Sequence, residues 1–266
     1  MPRRTCRPRW AALALPGFLL AALPSATGAW TPGTQLAIAS RVADLAPPDL
    51  ARQIEKHEAE FREGVLAPFR DGDPSRHFQN PDGSGRLAAV IREETDRAVA
   101  AIRGHRPFAD VVHQLGVLTH YLADANNPLN ATQDDGEEGH YFADFLHYAE
   151  SAQARFAVVF YGLDPRLRRP EDVAPFADRA LWRGRELYPH LGQEYRRIGF
   201  GEGRHRFDDR STAFGVASVA FSHAVTDAAL LLRYVWIEAG GVDPRRALPG
   251  REDDTVLLLT RSFSSP

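Results

Sequence analysis

The stretch Leu115-Gly-Val-Leu-Thr-His-Tyr-Leu-Ala-Asp-Ala-Asn-Asn-Pro-Leu129 decides how the chain is read. Together with Val112 its apolar residues recur three and four apart, the period of a helix with one buried face. Asn126-Asn-Pro128 closes the helix, because proline disfavours helical backbone in the residue before it. His120 and Asp124 stand four apart and therefore lie one above the other on a single face. Their neighbours are apolar, so that face points to a core, where an ionisable pair needs a partner. An imidazole nitrogen and a carboxylate oxygen at this spacing suit two ligands of one metal ion; the alternative is a satisfied polar pair.

Outward from this helix the same period returns in Gln35–Leu45, Leu50–Leu66, Leu87–Ile102, Phe108–Leu122, Tyr141–Phe160, Val173–Tyr195 and Thr212–Ile237. No comparable run alternates with period two, so the expectation is an all-α, single-domain helical bundle over residues 30–248. Pro47 and Pro48 start the second helix and Gly240-Gly241 end the last. The tail 249–266 is polar apart from Thr255–Thr260 and reads as a surface segment. Phe69–Gly85 is the one long loop with few apolar residues, and so the loop able to carry function.

Residues 1–29 read as a secretory signal peptide, with four Arg and no acid, then an apolar run from Trp10 to Pro24, then small residues up to Ala29. That run is shorter than the roughly 20 residues a spanning helix needs, so cleavage before Trp30 and a secreted or periplasmic protein without a membrane anchor are expected. The rest of the chain has 28 basic against 35 acidic residues. A mildly acidic body argues against an electrostatic grip on nucleic acid or anionic membrane. Cys6, the lone cysteine, falls in the leader, so the exported part is held by its apolar core without disulfides.

The histidines carry the chemistry. His-x-x-x-Asp occurs four times where chance predicts about one, at His120/Asp124, His140/Asp144 and His223/Asp227, and at His205/Asp209, which carries no argument. His77, in Arg76-His-Phe-Gln-Asn-Pro-Asp82, sits in the loop able to fold over the first two pairs. His113, one and two turns below His120, is expected to orient a ligand. His223/Asp227 reads as a buried pair that buttresses the site. Histidines and carboxylates without cysteine favour a hydrolytic zinc site over a closed structural one.

These elements together resemble the zinc-dependent phospholipases C and the related single-strand-specific zinc nucleases. The resemblance rests on Trp30 at the expected mature N-terminus, Gly64-Val-Leu-Ala-Pro68 followed by Arg76–Asp82, Leu115–Leu129, and Gly139-His-Tyr-Phe-Ala-Asp144. It implies an all-α fold with up to three zinc ions in a cleft. By that resemblance His77, His120 and Asp124 are the ligands of one ion, with Asp124 reaching a second. Trp30 would chelate that second ion through its amine and carbonyl, but the usual histidine partner is Gln35. His140 and Asp144 belong to a third, where a further histidine is replaced by Asn130 and His147 is available as a substitute. The family's water-handling aspartate after Ala67-Pro68 is Phe69 here, leaving Asp71 or Asp73 as candidate general bases.

The implied activity is hydrolysis of phosphoric esters, with one to three zinc ions, by a monomer. Phospholipid head-group phosphodiesters lead as substrate over other phosphate esters. A nuclease would want aromatic side chains for base stacking, and none is evident. A third possibility is a protein that kept the metal scaffold and lost turnover, given Gln35, Phe69 and Asn130.

Overall fold

Local signals set some of the helix starts. In the computed structural model, which describes residues 30–132, 136–242 and 257–259, Thr31 Oγ1 accepts the Thr34 N–H ahead of α1 (Pro32–Leu45). Pro48 opens α2 (Pro48–Lys56), and Ser211 caps α9 (Thr212–Glu238) by accepting the Phe214 N–H. The run expected as one helix to Leu66 breaks at His57, giving α2 and α3 (Glu58–Leu66). The remaining helices are α4 (Leu87–Arg103), α5 (Phe108–Ala125), α6 (Phe142–Ala152), α7 (Val173–Arg197) and the short α8 (Gly203–Arg206). The bundle is all-α, as its periodicity predicts. The expected leader lies outside the described residues.

One departure is a two-stranded sheet. Helical periodicity carried the reading to Phe160, but α6 stops at Ala152 and Val158–Phe160 becomes β1. Two adjacent valines favour extended backbone. Antiparallel to it runs β2 (Leu257–Leu259), with Val158 opposite Leu259, so part of the tail's apolar run joins the domain by backbone pairing.

Helices α5 and α9 form the centre. Both are buried over most of their length, and α5 is packed by α3, α4 and α9. Helix α9 is long and apolar enough to cross a membrane, yet most of its apolar window is buried, which marks a core helix. Each fully buried Leu, Ile or Phe contributes about 1.5–3 kcal/mol, and such residues line every long helix of the bundle.

Helices α3 and α5 touch through glycines. A Cβ at Gly64 would overlap the His113 carbonyl oxygen, and one at Gly116 would overlap the Phe61 carbonyl oxygen. Both obstacles are backbone and cannot turn aside. Gly116→Ala is therefore expected to cost about 1–3 kcal/mol, seen in a thermal melt as a fall of about 2–4 °C per kcal/mol. An unchanged melting temperature would show that the two helices separate freely.

Candidate metal centre

That close approach carries the α3 backbone onto a candidate ligand. Helix α5 continues past Leu122 to Ala125, which keeps His120 and Asp124 on one helical face. With α3 pressed against it, the Val65 carbonyl lies 2.8 Å from His120 Nδ1. The third residue arrives on the Phe69–Gly85 loop, which forms 3-10 turns at Ala67–Arg70 and Pro74–His77. A Gln79–Gly85 bridge closes the loop, and the Gln79 N–H donates to the Asn130 carbonyl. His77 Nδ1 is thereby placed 2.7 Å from Asp124 Oδ2. Among the described residues His77, His120 and Asp124 form the one group of three whose ligand atoms converge, all within 4.8 Å of one another, and all three are buried.

The electrostatics of this group call for a cation. If Nδ1–H of His120 donates to Val65, as the geometry requires, then Nε2 carries a lone pair. That atom lies 3.2 Å from Asp124 Oδ2 and has no hydrogen-bond partner among the described residues. Two lone-pair atoms facing each other in a buried site are satisfied by a positive ion between them, and a two-nitrogen, one-oxygen donor set suits zinc. A backbone carbonyl on the far ring nitrogen is the usual way a ligating histidine is oriented. Burial opposes ionisation of Asp124, but the imidazoles of His120 and His77 beside it hold its carboxyl below the usual range. Burial likewise works against protonated His77. Its bond to Asp124, with the charges of Asp124 and Asp71 and the Pro68 carbonyl, prevails and raises its pKa.

A polar arc borders the centre. The Tyr121 ring lies 5.4 Å from that of His77 and 5.5 Å from that of His120, and its hydroxyl donates to Asp71 Oδ2 at 3.3 Å. Arg76 Nε donates to that hydroxyl at 3.0 Å and lies 2.7 Å from the same Asp71 oxygen. The arginine's other end pairs with buried Glu94, which Arg97 and Gln114 also hold. Asp73 is spent locally, accepting from the N–H and hydroxyl of Ser75. Phe69 stands edge-on to the His120 ring at 4.8 Å while 38% exposed, and so caps the centre. Sequence reading missed Arg76, Tyr121 and Glu94. An acid on the buried face of α4, between Ile91 and Ala98, was the available signal.

Trp30 is buried and donates its indole N–H to the Ala123 carbonyl at 3.0 Å, one residue before Asp124. The other candidate ligands do not join a group of three. His140 ends a 3-10 turn, Glu138–His140, and Asp144 lies in the first turn of α6, because that helix starts only at Phe142. The two therefore do not share a helical face as the spacing suggested. Asp144 Oδ2 accepts from the Tyr195 hydroxyl at 2.6 Å and the Gly203 N–H at 2.8 Å. His140 and His147 are both exposed, and the His140 ring lies 5.5 Å from Phe200. Asn130 is fully buried with no partner for its side-chain amide among the described residues. His113, expected to orient a ligand, pairs instead with Glu63 at 2.7 Å. Asp227 accepts from Asn126 at 2.9 Å and pairs with Arg183, bracing the end of α5 beside Asp124. His223 takes no part in that bond and stacks on Tyr161 at 4.5 Å.

No protein-family profile matches the chain, and no curated protein sequence does. Solved structures do match. Alpha-toxin of Clostridium perfringens, isolated from avian strain SWCP, superposes with a TM-score of 0.59 at 14% identity, over 82% of this chain and 66% of the toxin. Alpha toxin from Clostridium absonum gives 0.58 at 16% identity, over 82% of this chain and 67% of that one. The fold is similar to that of the clostridial alpha-toxins. This chain spans about two thirds of their length.

Proposed function

We propose that the chain is an exported, zinc-dependent phosphoric-ester hydrolase of phospholipase C type, acting as a monomer on phospholipid head-group phosphodiesters. The observation that carries this is the buried His77, His120, Asp124 group, with an orphaned imidazole nitrogen facing a carboxylate oxygen. The toxin-like fold and the sequence resemblance agree with it.

His77, His120 and Asp124 would hold the zinc. Bound there, zinc supplies a Lewis acid for a phosphoryl oxygen and brings the pKa of a water ligand down to about 7. Asp71 takes the proton of the attacking water on its carboxylate, which Arg76 and Tyr121 hold in place at Oδ2. Tyr121, touching both imidazoles and Asp71, fixes the base relative to the ligands. Phe69, packed edge-on against the His120 ring, keeps bulk water from it.

A second reading, a metal-binding protein without turnover, is favoured by the burial of all three ligands beneath Phe69. The test is metal content of the exported protein together with a substrate screen. Under the proposal, chelator-sensitive release of phosphorylated head group from micellar phosphatidylcholine is expected, with single-stranded DNA left intact. Zinc without turnover of any phosphate ester establishes the second reading, and DNA cleavage without lipid turnover makes the chain a nuclease. N-terminal sequencing should begin at Trp30; a start elsewhere removes the signal-cleavage step.

A further inference from the structure

One buried polar residue that the hydrolase reading does not use is Gln35. Its Nε2 donates to Asp124 Oδ1 at 2.9 Å and lies 3.5 Å from the His120 carbonyl oxygen. Both neighbours are acceptors only, so the amide can face them in one orientation, NH2 inward. Its Oε1 then points away, fully buried and without a partner among the described residues. The two oxygens of Asp124 consequently have separate roles. Oδ2 faces the two imidazoles and Oδ1 is occupied by an amide hydrogen. In multinuclear hydrolytic sites a carboxylate can bridge two ions through its two oxygens. Here the partial positive charge that a second cation would bring to Oδ1 is already supplied by Gln35.

We infer that Gln35 is a positioning residue that holds Asp124 monodentate and makes this a one-ion centre. The inference rests on the hydrolase reading's metal assignment and adds the ion count and the residue that sets it. The rest of the described structure agrees. Asp144 is committed to Tyr195 and Gly203, and no second group of three ligands converges.

The experiment is metal analysis of the full exported protein after equilibrium dialysis against zinc, and cobalt substitution of wild type and Gln35→Leu. Wild type should retain one ion per chain. Gln35→Leu should still bind one, about 10–100-fold more weakly, the effect of losing a hydrogen bond to a ligand. Its cobalt visible absorption should also fall, because the released Oδ1 joins the ion and raises the coordination number. Two or more ions in wild type overturn the inference while leaving the hydrolase reading intact. No ion in wild type overturns the hydrolase reading and this inference with it. Unchanged affinity in Gln35→Leu, or weaker binding with an unchanged cobalt spectrum, assigns Gln35 to packing and also overturns it. If Gln35→Leu does not fold, the wild-type count alone decides.

Discussion

His120→Ala is expected to abolish tight zinc binding and to lower the melting temperature of the metal-free protein as well. Loss of a direct ligand should exceed the roughly 10–100-fold that loss of an outer partner costs. It also empties the space of a fully buried ring and strands the Val65 carbonyl. A buried acceptor left without its donor costs about 1–3 kcal/mol. The pH dependence separates the two effects. Asp124, held below the usual carboxylate range, contributes stability above about pH 3.9, lost as the pH falls through its lowered native value. His77, held above the usual histidine value, contributes below about pH 6.5, lost as the pH rises through its raised native value. The metal-free pair therefore stabilises most in mild acid. Zinc requires deprotonated ligands, so the zinc-induced rise in melting temperature should grow from about pH 5.5 to pH 8. Full zinc content and unchanged melting in His120→Ala would remove the assignment of this centre.

Arg183→Ala should be nearly as damaging, though it touches no ligand. Asp227 is fully enclosed, and burial drives its pKa up against the pull of Arg183 and Asn126. Removing the arginine leaves a buried carboxylate with one amide donor, at a cost of about 3 kcal/mol. The sign with pH is diagnostic. A raised native pKa means that protonation favours the folded state, so the gap between variant and wild type should shrink as the pH falls towards about 4. His223 works the other way. In wild type burial and the Arg183 charge press its pKa down to about 4, so protonation below about pH 6.5 favours unfolding; in Arg183→Ala burial alone remains. His223→Phe, by thermal melts across pH, distinguishes that contribution. A gap that does not narrow in acid would mean that Asp227 is not the group left stranded.

How far the molecule was legible in its sequence depends on whether its parts are local. The all-α fold was readable because helical period is a property of adjacent residues, and breaks at Pro47, Asn126-Asn-Pro128 and Gly240 punctuate it. His120 and Asp124 share one turn of one helix, so their spacing alone predicts their convergence. His140 and Asp144 have the same spacing, but the helix start at Phe142 separates them, and nothing in the motif fixes a helix start. The donation from Gln35 to Asp124 spans 89 positions. It follows from how α1 docks on α5, which a reading of ligand types registers only as a missing histidine. β2 escaped for the same reason, since its partner lies about a hundred residues earlier.

The glycine contact between α3 and α5 bears on the thermodynamics of metal capture. The groups that aim the two imidazoles, the carbonyls of Val65 and Pro68, belong to the main chain. A side-chain partner must surrender rotamer freedom when it fixes a ligand, at up to about 2 kcal/mol for a long one. A carbonyl in a folded backbone has none left to surrender. The ordering cost of the ring orientations is thus met during folding, when the two helices close over Gly64 and Gly116. On the proposed function, an entering ion would meet rings already oriented, and its entropy change would come mainly from the water that the metal sheds.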